Sequence, residues 1–431
     1  MFPIHDRTRR WICRTIFIFG GVLPMLAVAA WAAVIHSASH LEAVRVRVEE
    51  ALGLQVRLAS VSYPQPGATL LAGMELLDPE SGEALGSIRM VEMIDEASCK
   101  TIVLSQLEIN VARPRWLWNL IDNRLRLWAD QTPMRLSASE LTARWNGGVQ
   151  TFVDCNAQLE STSKSHTITA AFQLANVQAR EPIGLHIERS SKGGQPASSV
   201  SLDARSAALP ASLLAALMER GNYLGEKSTL RSAIRAQEMP DGWEGEFTGQ
   251  LENVDLNSLV SDQFPHRLSG TASVTVEKAI VHRSRLEEFR GTISAGRGVV
   301  SESLLASAAE SLNMRRELPR TVAGRVMQYE ELSATFDLDT RGLLLRGQCG
   351  KNGSGIIMRG REGAILWQSS AGPTPVVNLV KALVPDSRTQ VPATRQTDWL
   401  LNLLPIPDVL PHDPSAPPEA RLRAIDAPLR K

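Results

Sequence analysis

The hydrophobic pattern of this chain changes from one unbroken apolar run to a repeated alternation. Residues Thr15 to Ile35 include no charged side chain, and at 1.5 Å per residue a helix of this length is about 31 Å long, enough to cross a bilayer. From Leu54 onward, runs of alternating apolar and polar residues are separated by turn-forming residues. This pattern predicts one membrane helix followed by a β-rich body.

The charges beside the apolar run predict its orientation. Arg7, Arg9, Arg10 and Arg14 precede it together with a single acid, Asp6, and such basic flanks stay in the cytoplasm. We therefore expect a cytoplasmic basic tip at residues 1–14, a transmembrane signal anchor at residues 15–36 and an exported body. A cleaved signal peptide is the alternative, although its apolar core is usually about 7–15 residues long.

Helical spacing interrupts the alternation in the first part of the body. Residues Ser39 to Leu52 form an amphipathic pattern that Gly53 ends. A second pattern near 113–128 has Pro114 in its first turn and places Trp116, Trp118 and Trp128 in a helix. The body is thus expected to combine strands with short packing helices.

The clearest alternation lies in the second half of the chain, where each strand has one apolar and one polar face. Helices are expected near 301–314, capped by Ser301, and at Pro375 to Leu383. The apolar faces of the strands are the candidate lipid-facing surface, and their residues are Leu268, Ala272, Val274, Val276, Phe289, Ile293, Leu332, Phe336 and Leu338.

The predicted fold is mainly β: a transmembrane helix, then an antiparallel, curved β-sheet groove with several short covering helices. A closed sandwich would produce the same sequence pattern. The body divides into an N-terminal β region at 39–189, a middle region at 190–264 with no assigned structure, a C-terminal β region at 265–384, and a proline-rich tail at 385–431 that is expected to be disordered.

Composition excludes several classes of function. Lysine plus arginine total 46 and aspartate plus glutamate total 46, so no electrostatic footprint for nucleic acid is expected. Aromatic residues make up 5% of the chain, which argues against stacking platforms. Beyond Cys13, the cysteines Cys99, Cys155 and Cys349 are expected as buried thiols, with a Cys99–Cys155 disulfide as the alternative.

Local motifs give no catalytic, cofactor-binding or metal-binding residue. His36 and His40 have metal-compatible spacing without a third ligand, and an interfacial polar collar is the better interpretation. The Ser161–Lys164 and Gly350–Gly355 segments read as turns rather than as a serine-enzyme motif or a phosphate loop. Asp337 and Asp339 alternate on a polar strand face, which is common.

Two stretches resemble the AsmA-like family, which also includes the TamB-type envelope proteins. In Leu41–Met93, a helix ending in Leu-Gly leads to a strand, and a Gly-Met-Glu-Leu strand leads to an Asp-Pro-Glu-Ser-Gly turn. Leu268–Met314, followed by Tyr329–Trp367, has the order strand, strand, glycine turn, helix and strand pair. The resemblance implies an inner-membrane-anchored periplasmic β groove that takes part in envelope biogenesis or lipid movement.

We therefore expect a non-enzymatic, single-pass protein of the inner membrane with its body in the periplasm. Its apolar groove would hold or conduct membrane lipid for transport or outer-membrane assembly, without cofactors and without nucleic acid. The alternative is a structural or adaptor module that binds other envelope proteins through sheet edges and the tail. An exported hydrolase is a third hypothesis.

Overall fold

The chain folds into two compact units, Met1–Ser163 (unit 1) and Lys164–Lys431 (unit 2). The structure is a computed structural model, and the residues it describes are residue 11 and residues 14–96, 98–127, 133–162, 165–177, 181–192, 195–217, 223–240, 242–283, 285–317, 326–350 and 355–384.

Unit 1 begins with the apolar helix that the sequence predicts. The helix runs without interruption over Arg14–Ile35, no residue of its most apolar window is buried, and it is long and apolar enough to cross a membrane. Its α-helical part is α1, Leu23–Ile35, which follows a π-helical turn at Ile18–Val22. Ser37 then adopts an extended backbone and accepts a hydrogen bond from His40 N, which begins the next helix.

A six-stranded sheet and two further helices complete unit 1. The elements are α2 (Ala38–Leu52), β1 (Gln55–Gln65), β2 (Ala68–Leu77), β3 (Ala84–Asp95), β4 (Lys100–Asn110), α3 (Arg115–Leu127), β5 (Met134–Trp145) and β6 (Gly148–Ser161). Strands β1 to β4 form an antiparallel meander. Helix α3 then crosses over to β5, which lies parallel to β4, and β6 returns antiparallel.

The core of unit 1 lies on one face of this sheet. Val44 of α2 belongs to the same buried cluster as Val56, Leu71 and Leu104, and Trp116 of α3 packs against it. Because both helices place apolar residues at helical spacing over alternating strand residues, each element buries the face that its own periodicity makes apolar.

Besides a π-helical turn at Asn257–Ser261, unit 2 contains sixteen strands and three α-helices among its described residues. They are β7 (Ser165–Leu174), β8 (Ile183–Lys192), β9 (Gln195–Asp203), β10 (Leu209–Pro210), α4 (Ala211–Leu217), β11 (Thr229–Met239), β12 (Gly242–Asp255), β13 (Leu268–Ser269), β14 (Thr271–His282), β15 (Arg285–Ala295), β16 (Gly298–Ser301), α5 (Glu302–Ser311), β17 (Met314–Arg316), β18 (Val326–Tyr329), β19 (Glu331–Asp339), β20 (Gly342–Gly347), β21 (Ile356–Gly360), β22 (Gly363–Ser369) and α6 (Val376–Leu383).

The main sheet of unit 2 is antiparallel. Its strands neighbour one another in the order β7, β8, β9, β11, β12, β14, β15 and β19. Strand β19 pairs with β20 along most of its length and with β21 at its start, and β22 and β17 continue from β21. No pairing among the described residues closes a sheet into a barrel.

A small sheet of β13, β16 and β18 packs beside α5. Tyr329 of β18 is 1% exposed, and its hydroxyl donates to Ser269 O of β13 at 2.7 Å. Burial raises the pKa of this hydroxyl to about 12. Gly298 and Gly270 allow the ring to fit, since a Cβ at either position would collide with the Tyr329 hydroxyl.

The mainly β, antiparallel fold class is confirmed, with the parallel β4–β5 pair as the exception. Helices also lie where their patterns placed them, although α5 ends at Ser311 because Met314 enters β17. The middle region at 190–264 contains β9, β11 and β12, which belong to the main sheet of unit 2. The tail and Trp128 lie outside the described residues.

Candidate functional site

One row of apolar residues crosses the main sheet of unit 2 in register, with one residue on each of nine strands from β7 to β20. Partners that lie directly opposite each other on neighbouring strands point to the same face. The row, here called the long row, consists of Ala170, Leu185, Leu202, Ile234, Phe247, Ala279, Phe289, Leu338 and Leu343.

Shorter rows run beside the long row, two residues away along the strands on one side and about four on the other, so they lie on the same face. The row on one side includes Ile168, Ile187, Val200 and Ala236. On the other side they include Leu230, Leu251, Val274, Ile293 and Ala334. Together these rows form the apolar face of unit 2.

Helices cover one end of the apolar face. Leu338 and Leu343 are buried in a cluster with Val376 and Val380 of α6, and Phe289 and Phe336 stack against this cluster with their ring centroids 4.8 Å apart. Helix α5 covers the neighbouring rows, to which Ala272, Ala295 and Leu332 contribute.

The other end of the apolar face is more open. Ala170, Leu185, Leu202, Ile234 and Phe247, the members of the long row on β7, β8, β9, β11 and β12, are all only partly buried. We call these five residues the open segment. Its two outer strands are separated by four strand spacings, or about 19 Å.

The nine residues singled out from the sequence fall mostly at the covered end. Eight of them lie on β14, β15 and β19 on the apolar face, whereas Leu268 lies on β13 of the small sheet. Leu268, Ala272, Val276, Leu332 and Leu338 are buried in cores, and Val274, Phe289, Ile293 and Phe336 are partly buried. Sequence reasoning missed the open segment, although Ile234 and Ala236 alternate with Arg235 and Gln237 on β11.

A buried histidine fixes α6 over the covered end. His266 is 2% exposed, with Nε2 at 3.1 Å from Ala382 O near the end of α6 and Nδ1 at 3.0 Å from Ser303 Oγ in α5. Because a carbonyl only accepts, Nε2 carries the proton, and Nδ1 accepts from the Ser303 hydroxyl. Burial lowers the pKa of His266, which favours this neutral form.

The opposite face of the same strands is polar. Thr169, His186, Ser201, Arg235 and Glu246 form a row beside the small residues Gly184 and Ala233, and a shallow depression of about 400 Å³ lies there. The side chain of His186 lies 3.2 Å from the Thr169 hydroxyl. The two faces therefore differ sharply in polarity across a single strand.

Asp337 and Asp339 have charged partners, whereas the Ser161–Lys164 and Gly350–Gly355 segments lie partly outside the described residues. Asp337 lies 3.5 Å from Arg290 and Asp339 pairs with Arg341, so the two aspartates are not arranged as an acid and base. Among the described residues, no group of three histidine, cysteine or acidic side chains is placed to hold a metal ion.

Cys99, Cys155 and Cys349 form no disulfide, so the alternative of a Cys99–Cys155 bridge is wrong. Cys349 is buried as expected, whereas the expectation of buried thiols is wrong for Cys99 and Cys155, which are only partly buried. Burial raises the pKa of Cys155 and of Cys349 to about 11 in each case. Of the tryptophans, Trp116 packs against the core of unit 1, whereas Trp118 is 46% exposed.

Comparison of the chain with protein-family models, with curated proteins and with solved structures finds no match.

Proposed function

We propose that this chain is a membrane-anchored periplasmic protein of cell-envelope biogenesis, and that the apolar face of unit 2 holds the acyl chains of lipids. The observation that carries the proposal is the open segment of the long row. Five apolar side chains in register, on five neighbouring strands, stay partly exposed while the same row is buried under α6 at its other end.

Physical chemistry supports an acyl chain as the ligand. The open segment has no charged side chain in the row, and its neighbours Ile187, Val200 and Ala236 are also apolar. Each methylene moved from water to such a surface contributes about 0.8 kcal/mol, so ten methylenes contribute about 8 kcal/mol before ordering costs. Because the row offers no polar group to a ligand, the affinity would depend on the length of the acyl chain rather than on the headgroup.

The arrangement needs no chemical step. Moving a lipid between membranes breaks no covalent bond, and the polar pairs described above are ion pairs and hydrogen bonds rather than an acid, base and nucleophile in contact. An apolar helix of 22 residues at the N-terminus would tether the body to the bilayer that supplies the lipid. The arginines before this helix favour export of the body.

Lipid co-purification tests the proposal directly. The full chain is purified in a mild detergent, washed into a second detergent, extracted with solvent and analysed by mass spectrometry. We expect phospholipid in a fixed ratio to protein, and transfer of labelled phospholipid between two vesicle populations. The absence of both retained lipid and transfer would refute the proposal.

A further inference from the structure

The tip of the first hairpin in unit 1 is held close to the point where α1 ends. This hairpin tip, Ser62–Gly67, comprises the end of β1 and the turn into β2, and all six of its residues are exposed. His40 lies in the first turn of α2, with its Nε2 2.8 Å from the Tyr63 hydroxyl oxygen and the two ring centroids 5.8 Å apart. Only four residues lie between Ile35 and His40, so the backbone of His40 lies at most about 18 Å from the end of α1.

The direction of the hairpin follows from a second tie between α2 and β1. Glu49 Oε1 accepts a hydrogen bond of 2.9 Å from Val56 N. His40, early in α2, therefore meets Tyr63, late in β1. Glu49, late in α2, meets Val56, early in β1. Because the two elements run antiparallel, the hairpin tip projects past the start of α2, on the side where α1 ends.

The hairpin around the tip carries no charge. Residues 58–74 include no aspartate, glutamate, lysine or arginine, although 21% of the chain is charged. The first charges are Arg57 and Glu75, which are register partners and lie 3.6 Å apart. Because bringing a charge into a bilayer is costly, this uncharged part of the hairpin can approach the headgroup layer without burying a charge.

The neighbouring turn, from β3 to β4, is charged, which limits how deeply the hairpin tip could enter a bilayer. Asp95 N donates to Gly67 O at 2.9 Å, and Asp95 also pairs with Lys100 at 3.6 Å. Since charged groups are costly inside the hydrocarbon region, the turn from β3 to β4 must stay at or above the headgroups. Tyrosine is favoured at that level, where its ring and its hydroxyl meet apolar and polar surroundings.

We propose that Ser62–Gly67 is a second membrane contact, which rests on the lipid headgroup layer beside the exit of α1 and is held there by the His40–Tyr63 contact. Together with α1 it would fix the orientation of unit 1 on the bilayer. The inference requires that α1 crosses the membrane, but it does not require lipid on the apolar face of unit 2.

Site-specific photo-crosslinking tests the contact in the full chain, reconstituted into vesicles of phosphatidylethanolamine and phosphatidylglycerol. The photoreactive residue p-benzoylphenylalanine replaces Gln65 in the tip, which leaves Tyr63 and His40 intact. The matched control places it at Glu80, an exposed residue in the turn from β2 to β3 at the opposite end of the same sheet. Lipid adducts are measured by mass spectrometry.

We expect several-fold more lipid adduct at position 65 than at position 80, and a several-fold decrease at position 65 when Tyr63→Ala is added. Equal adduct at the two positions, or background adduct at both, would overturn the membrane contact. An adduct that Tyr63→Ala leaves unchanged would overturn the role of the His40–Tyr63 contact. Lipid that still co-purifies with a chain giving no adduct at position 65 would refute this inference while leaving the proposed function standing.

Discussion

Replacing Leu202 with glutamate places a carboxylate in the middle of the open segment. Leu202 lies on β9 between its register partners Leu185 and Ile234. The preceding residue, Ser201, points to the polar face and pairs with Arg235, so Ser201→Glu adds the same charge to the same strand. The two variants differ in which face receives the carboxylate.

The magnitude follows from the apolar contact that is lost. A leucine side chain in the row would touch two to three methylenes of a bound acyl chain, and at about 0.8 kcal/mol each their loss costs about 2 kcal/mol. This corresponds to an affinity roughly thirtyfold lower. Because Leu202 is only partly buried, the glutamate can reach water, and the fold is expected to tolerate it.

The assay is displacement of a fluorescent fatty acid from the purified full chain, with urea unfolding as a check on each variant. Leu202→Glu should weaken binding about thirtyfold and Ser201→Glu by less than about threefold. If both variants are folded and bind as tightly as the unchanged protein, the ligand does not lie on the apolar face. Equal losses in both would indicate an effect of charge alone.

Four further predictions concern the covered end, the small sheet and a buried thiol. His266→Ala leaves Ala382 O and the Ser303 hydroxyl without their partner and should lower the unfolding free energy by about 2–4 kcal/mol in urea titrations. Because the pKa of His266 is lowered from 6.5 in the fold, the unfolded chain takes up the proton first, so stability should fall below pH 6.5, less steeply in His266→Gln. Gly298→Ala should destabilise by about 3 kcal/mol, since its Cβ would collide with Ser269 O and with the Tyr329 hydroxyl, as measured by thermal unfolding. Cys349, with its raised pKa of about 11, should react with a thiol reagent only after unfolding, which mass spectrometry can follow.

Period-two alternation predicted the strands well because it depends on nearest neighbours along the chain. The face that each strand of unit 2 buries follows from its own sequence, as in β14 and β19. The register between neighbouring strands does not follow from the sequence of one strand. Asn253 has a positive φ of 57° next to the point where the pairing of β12 with β14 shifts, and neither residue type nor spacing marks such a bulge.

The strands that carry the apolar face could be predicted from the sequence, but not which end of that face a helix covers. Alternation identifies an apolar face on β14, β15 and β19, but it cannot tell whether a helix covers that face. The cover depends on contacts such as His266 with Ala382, which are 116 residues apart in the chain. The open segment instead lies on β7 to β12, where the apolar runs are shorter and more interrupted by serine and arginine.

The two ends of the long row differ in burial, and this difference distinguishes residues that stabilise the fold from residues that can contact a ligand. Leu338 and Leu343 are 4% and 7% exposed and pack with Val380 of α6, which is fully buried. Truncating such residues leaves a cavity and costs about 2–5 kcal/mol of folding free energy. Leu202 and Ile234 have no comparable burial, so their apolar area contributes less to folding and remains free to contact a ligand. A surface that held lipid along its whole length would keep α6 away from the row. The buried end therefore favours a chain-binding surface of limited length, bounded by α6, over a groove open from one end of the sheet to the other.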